Sequence, residues 1–145
     1  MIGFDSVDFQ TIQCIDYSVS KLVKPVDYFS RDGTHYRIPY AQPTDFASIP
    51  KVLWGPPLYL IPTGWWSLPC IAHDSAFRNM LLVVLPDGST KLASLNEQQC
   101  NDLLLESMQA IKPNPTAFEK LQMEAIFQGV SIGGGSAFKD DRCFS

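Results

Sequence analysis

At 145 residues, nearly half of them apolar, the chain is the size of one domain with one sizeable core; two domains would each be marginal. A formal net charge of −4 and the lack of any basic run exclude nucleic acid or an anionic membrane surface as the main partner, since both require clustered Lys and Arg. No window approaches the length of a membrane span, so membrane insertion is not expected.

The opening "MIGFDSVDFQ" carries two aspartates where a signal peptide needs a basic start and an apolar stretch, so the mature chain is expected to begin at Met1. The segment "VDFQTIQCIDYSV" partly alternates apolar and polar residues, and "KPVDYF" and "THYRIPY" are rich in strand formers. "SRDGT" between the last two is a hairpin turn signal, which predicts an antiparallel sheet. Seven prolines and three tryptophans between Pro39 and Pro69 exclude regular helix or central strand for most of that stretch and predict an ordered, aromatic-packed loop.

Ser67 as cap and Pro69 in the first turn predict a helix over "CIAHDSAFRNML". "LLVVLPDGSTKLA" changes to a strand-turn-strand pattern around Pro86, Asp87 and Gly88. Ser94 with Glu97 predicts a capping box for a helix through Ile111, and Thr116 with Glu119 another for a helix ending near Gly129. "KPNP" breaks the two, and the glycine-rich residues 131–145 are expected to form a flexible tail. The predicted fold class is therefore α+β: an N-terminal antiparallel sheet, a long proline- and aromatic-rich loop, then three helices with an inserted hairpin, residues 1–130 forming one domain.

Four cysteines, Cys14, Cys70, Cys100 and Cys143, lie far apart without a CxxC pair, which fits reduced cytosolic thiols better than a disulfide framework. Cys70 and His73 have the spacing to share a zinc ion, but His35 is the only other histidine, so zinc is disfavoured. No GxSxG elbow, Walker loop, HExxH or paired-glutamate pattern is present. "SIGGGS" follows a helix rather than leading into one, so it does not read as a phosphate cradle.

The remaining chemistry centres on His73 and Asp74. Consecutive helical residues point about 100° apart, so Asp74 is poorly placed to orient His73, and a remote carboxylate is required. Asp45, from the proline-rich loop, and Asp102, from the next helix, are the candidates. A histidine held in this way is a competent general base near neutral pH, with Asp74 then available as ligand for a divalent metal or for substrate. In this layout alone the chain resembles the secreted phospholipases, whose calcium loop and dense disulfides it lacks.

Ordinary structural roles compete with that reading at every position. Asp74 and Arg78 are spaced for an i, i+4 ion pair, and His73 with Phe77 for packing at a core rim. Asp102 lies about 200° around its helix from Leu104, on the flank away from the apolar stripe Cys100, Leu104, Met108, Ile111. Asp45 and Thr44 are suited to local turn hydrogen bonds.

"TDFASIP", then Trp54, Pro56, Pro57 and Gly64, then "AHDSAF", "NDLLLESM" and "AIFQG" resemble domain-of-unknown-function family 1353, small proteins encoded by tailed phages and prophages. The likeness covers roughly residues 35–130, and its polar positions fall on Thr44, Asp45, Ser48, His73, Asp74 and Asp102. Phe77 stands where the family often has Tyr, and Asn101 where it often has Ala, so a mechanism needing that phenol would fail here. The resemblance implies a phage or prophage origin, in the host bacterial cytoplasm or on the virion, and no particular activity.

Three functions are therefore expected to compete. The first is a small metal-assisted hydrolase with His73 as base, Asp102 or Asp45 as its orienter, Asp74 on the metal, and Thr44 and Ser48 nearby. The second is a virion or tail-associated component, or a factor binding a host protein, using Trp54, Trp65, Trp66, Tyr59 and the prolines as interface. The third is a small-ligand module whose aromatics stack on the ligand.

Overall fold

A computed structural model of the chain describes residues 2–5, 12–14, 20–22, 24–39, 43, 44, 53, 55–60 and 64–133, the side chains of 12–14, 20–22, 43, 44 and 131–133 excepted. The strands are β1 (Gly3–Phe4), β2 (Ile12–Cys14), β3 (Ser20–Leu22), β4 (Val26–Phe29), β5 (His35–Ile38), β6 (Pro43–Thr44), β7 (Leu82–Val84) and β8 (Thr90–Leu92). The helices are α1 (Ser67–Phe77), α2 (Glu97–Ile111) and α3 (Ala117–Gly133). The architecture is α+β: a five-stranded antiparallel sheet, ordered β1-β4-β5-β7-β8, takes its last two strands from the hairpin between α1 and α2, and β2-β3-β6 form a second, three-stranded sheet.

The β4–β5 hairpin sets the register of the main sheet. Its turn closes through Ser30 N–H to Thr34 O at 2.9 Å, and Gly33 takes a φ of 90°, which only glycine adopts without strain. Asp27 then opposes Arg37, and Tyr28 opposes Tyr36. Because side chains alternate, Val26, Tyr28, Tyr36 and Ile38 face the core while Asp27, Phe29, His35 and Arg37 face outward. The later hairpin turns at Pro86–Gly88 and adds β7 to β5, so it extends the sheet rather than standing apart.

Helix α1 is the buried element of the molecule, with every residue but Asp74 enclosed. A helix apolar on all sides must be covered on all sides, and α2 packs along it. Ser67 lies inside the first turn and does not cap it; its Oγ donates instead to Gly64 O at 2.6 Å. A Cβ on Gly64 would overlap the Trp66 indole, which is why the chain enters the helix on glycine. At the other end Asn79 takes a left-handed φ of 60° and terminates the helix.

Boundaries of all three helices differ from the sequence expectation: α1 ends at Phe77 and not at Leu81, and the start of α2 and the end of α3 shift as well. The capping box of α2 is Asn96 with Gln99, at 2.8 and 2.9 Å, two residues after the expected Ser94 and Glu97. Asparagine is at least as good an N-cap as serine, and Ser94 is occupied by a left-handed φ of 53°. Helix α3 continues past Gly129 to Gly133, because Val130 extends the buried stripe of Met123 and Ile126. Its start, with Thr116 and Glu119 exchanging bonds of 2.9 and 3.1 Å, matches the expected capping box.

Glu106 of α2 fastens the helix to the sheet. Its carboxylate accepts from Tyr28 Oη at 2.9 Å, Ser30 Oγ at 3.0 Å and Arg31 N–H at 2.9 Å. Burial, together with this carboxylate, pushes the Tyr28 phenol far above its usual range, so it stays a donor. Replacing Glu106 with Ala is expected to cost about 3 kcal/mol, since hydrogen bonds to a charged group are lost and a buried phenol is orphaned. Glu106→Gln, which keeps an acceptor, is expected to cost less than half as much; urea midpoints of the two variants check this.

Candidate functional site

His73 sits in the middle of α1 with 1% of its surface exposed, among the largest fully enclosed side chains. Its Nε2 donates to Asn101 Oδ1 of α2 at 2.9 Å, and its ring lies 4.7 Å from that of Phe77. An amide oxygen only accepts, so the neutral ring carries its proton on Nε2 and its basic lone pair on Nδ1. Asn101 thus orients the imidazole as a carboxylate would, but without the negative charge that would stabilise the protonated form.

Burial dominates the electrostatics. It lowers the His73 pKa from 6.5 to about 4, with the Asn101 bond opposing only part of the shift. A general base poised near neutral pH needs a pKa near 7, so this ring is a weak base at pH 7.

Asp102, the expected orienter on α2, is exposed and accepts from Gln98 Nε2 at 2.8 Å. The ring is met by the neighbouring residue, since successive helical positions diverge by about 100° and Asn101 is the one directed at α1. Asp74 is 13% exposed and pairs with Arg78 Nε at 3.4 Å, the i, i+4 contact that the spacing allowed. Cys70 and Cys100 are buried thiols, and burial, followed by the charge of Asp74, pushes the Cys70 thiol well up. Among the described residues no three His, Cys, Asp or Glu side chains converge as a metal set.

Thr44 lies in β6 opposite Ser20, while Asp45, Ser48 and Trp54 lie outside the described residues. The two other tryptophans separate in role. Trp66 is 3% exposed and belongs to the core, so it is no part of an interface. Trp65 is half-buried: its Nε1 donates to Gln122 Oε1 at 3.3 Å, and Lys112 Nζ lies 5.8 Å from a ring centroid. Gln122 also donates to Leu58 O at 2.9 Å, so α3 braces the segment that carries Tyr59.

Sequence reasoning missed a His–Asp contact elsewhere, at His35. On the outer face of the sheet, Asp27 accepts from His35 Nε2 at 2.8 Å and from Arg37 Nε at 2.7 Å. The Arg37 guanidinium, more than any other group, holds the Asp27 carboxyl below its usual range. The "SRDGT" turn carried the signal, since fixing that hairpin's register places Asp27 between His35 and Arg37. No helix among the described residues is long and apolar enough to cross a membrane. No family model, curated protein or solved structure matches the chain.

The buried ring makes stability fall with acid. Once unfolded, His73 takes up a proton below about pH 6.5, whereas the folded ring stays neutral down to about pH 4. The unfolded state therefore binds more protons in that window, and stability drops as the pH falls through it. At about 1.4 kcal/mol per pKa unit, His73 is expected to contribute a loss of up to about 3 kcal/mol between pH 7 and pH 4. Denaturation of the wild type and of His73→Leu/Asn101→Leu as a function of pH checks this; the difference between them isolates the buried ring.

Proposed function

We propose that this protein acts by binding a partner protein and not by catalysis at His73, as a phage-type virion or tail-associated component or a factor directed at a host protein. The observation that carries this reading is the exposure of large apolar side chains on two elements joined at Gln122. Tyr59 is 57% exposed, and Phe118 and Leu121 of α3 are 47% and 59% exposed. Aromatic and large aliphatic side chains held rigidly at a surface are the usual anchors of protein interfaces.

The backbone at Tyr59 supports the same reading. Its φ of 52° is left-handed, an arrangement costing a residue with a side chain about 1–2 kcal/mol. Two bonds of 2.9 Å, Tyr59 N–H to Gly55 O and Leu60 N–H to Leu53 O, hold it there. Strain maintained to present an aromatic ring to solvent is characteristic of recognition sites. By contrast, the enclosure of His73, its low basicity and its amide partner all count against the hydrolase expected from the His-Asp pair. The phage setting rests on the sequence resemblance alone.

A photo-cross-linking residue at position 59, in the cell that expresses the protein, is expected to capture one discrete partner. The same residue at Leu92, an exposed position on β8, is expected to capture none. Phe118→Ser and Leu121→Ser should each weaken the captured complex about tenfold while leaving the circular dichroism spectrum unchanged. Equal capture from positions 59 and 92, or ester or phosphoester hydrolysis by the purified protein that His73→Ala abolishes, would reverse the assignment.

A further inference from the structure

We infer that the crevice at the start of α2 binds a small free amino acid, its carboxylate on the helix N-terminus and its ammonium on Glu97. The site lies at the first turn of α2, uses neither Tyr59 nor α3, and does not depend on the partner-binding surface. The crevice holds about 430 Å³, and its described lining is Asn96, Glu97, Gln98 and Asn101.

Three hydrogen-bond donors are left open there. Of the first amides of α2, that of Gln99 is taken by Asn96 Oδ1 at 2.8 Å and that of Cys100 by Asn96 O at 2.9 Å. Those of Glu97 and Gln98 have no acceptor among the described residues, and the positive end of the helix dipole falls on them. Asn101 supplies the third donor. Its side chain shares a helix face with Glu97 and Gln98, at i, i+4 and i, i+3 spacing, and leans toward the N-terminus as helical side chains do. Only 4% of the residue is exposed, and its Oδ1 is occupied by His73 Nε2 at 2.9 Å. The Nδ2 group has no acceptor among the described residues and is open to the crevice. An amide held in this way is fixed in direction before a ligand arrives, which lowers the cost of binding.

The charges decide the ligand. Glu97 lines the crevice, Asp102 accepts from the Gln98 side chain at 2.8 Å, and no Lys or Arg is among the described lining residues. A simple anion would therefore meet three donors and two carboxylates, and repulsion would cancel much of the gain. Glu97 itself has no cationic partner among the described residues. A zwitterion satisfies both sides: its carboxylate accepts from the Glu97 and Gln98 amides and from Asn101 Nδ2, and its ammonium pairs with the Glu97 carboxylate. No apolar side chain is among the described lining residues, so the crevice suits an amino acid with little or no apolar side chain, such as glycine or serine.

The test is a proton-nitrogen correlation NMR titration with three probes: glycine, N-acetylglycine, which keeps only the carboxylate, and glycinamide, which keeps only the ammonium. Glycine is expected to shift the backbone signals of residues 97 and 98 and the side-chain amide of Asn101 saturably, at millimolar concentration. The two blocked forms are expected to bind about tenfold more weakly or worse, since each loses a charge-assisted contact. Glu97→Gln is expected to weaken glycine about tenfold and not to weaken N-acetylglycine.

Equal affinity for glycine and N-acetylglycine would mean that an anion at a helix terminus is all that binds, and would overturn the inference. Equal affinity for glycinamide, indifference to Glu97→Gln, or no saturable shift at these three signals would do the same. An amide spectrum of Glu97→Gln that is unchanged beyond the first turn of α2 ensures that lost binding reflects the site and not the fold. Loss of cross-linking at position 59 would leave this result untouched.

Discussion

The enclosure of α1 is the constraint from which most of the structure follows. Ten of its eleven residues are buried, so the polar groups it carries inward need partners inside the protein. Ser67 finds one in the carbonyl of Gly64, and His73 finds one in the amide of Asn101. The second contact crosses between helices and ties the angular position of α2 to that of α1. Once α2 is set, its far side presents Glu106 to the sheet and its outer flank leaves Asp102 in solvent.

The same enclosure governs chemistry. A buried histidine bonded to an amide is held neutral, and its usefulness as a base falls with its pKa. Phe77 adds an apolar ring against the imidazole and no acid. The histidine on the sheet, with Asp27 beside it, is more accessible, yet that carboxylate is already shared with Arg37 across the hairpin.

What the fold leaves open is surface. Gln122 joins α3 to the loop of Leu58 and to Trp65, so an irregular segment is supported by a helix and presents Tyr59 in a strained conformation. Along another face of α3 a groove runs against α2 and the β4–β5 turn. Both are formed by residues far apart in sequence, which is the usual origin of recognition sites on small domains.

Much of the fold was legible in the chain itself, because local rules act at short range. Turn residues fixed the hairpins at Gly33 and Gly88, reciprocal side-chain bonds fixed the start of α3, and the apolar stripe through Cys100, Leu104 and Met108 fixed the inner face of α2. The i, i+4 pairing of Asp74 with Arg78 was equally readable. Whether His73 met Asp102 or Asn101 was not, since a helix can bring any of several neighbouring residues to a contact and only its rotation against α1 selects one. Burial was likewise undetermined: the motif "AHD" has the same letters on an open face as in a core, but only packing removes the water that would keep such a histidine basic. The sequence by itself determined the elements and their inner faces; the tertiary structure decided which polar groups met and which of them lost their solvent, because contact and desolvation depend on residues far away along the chain.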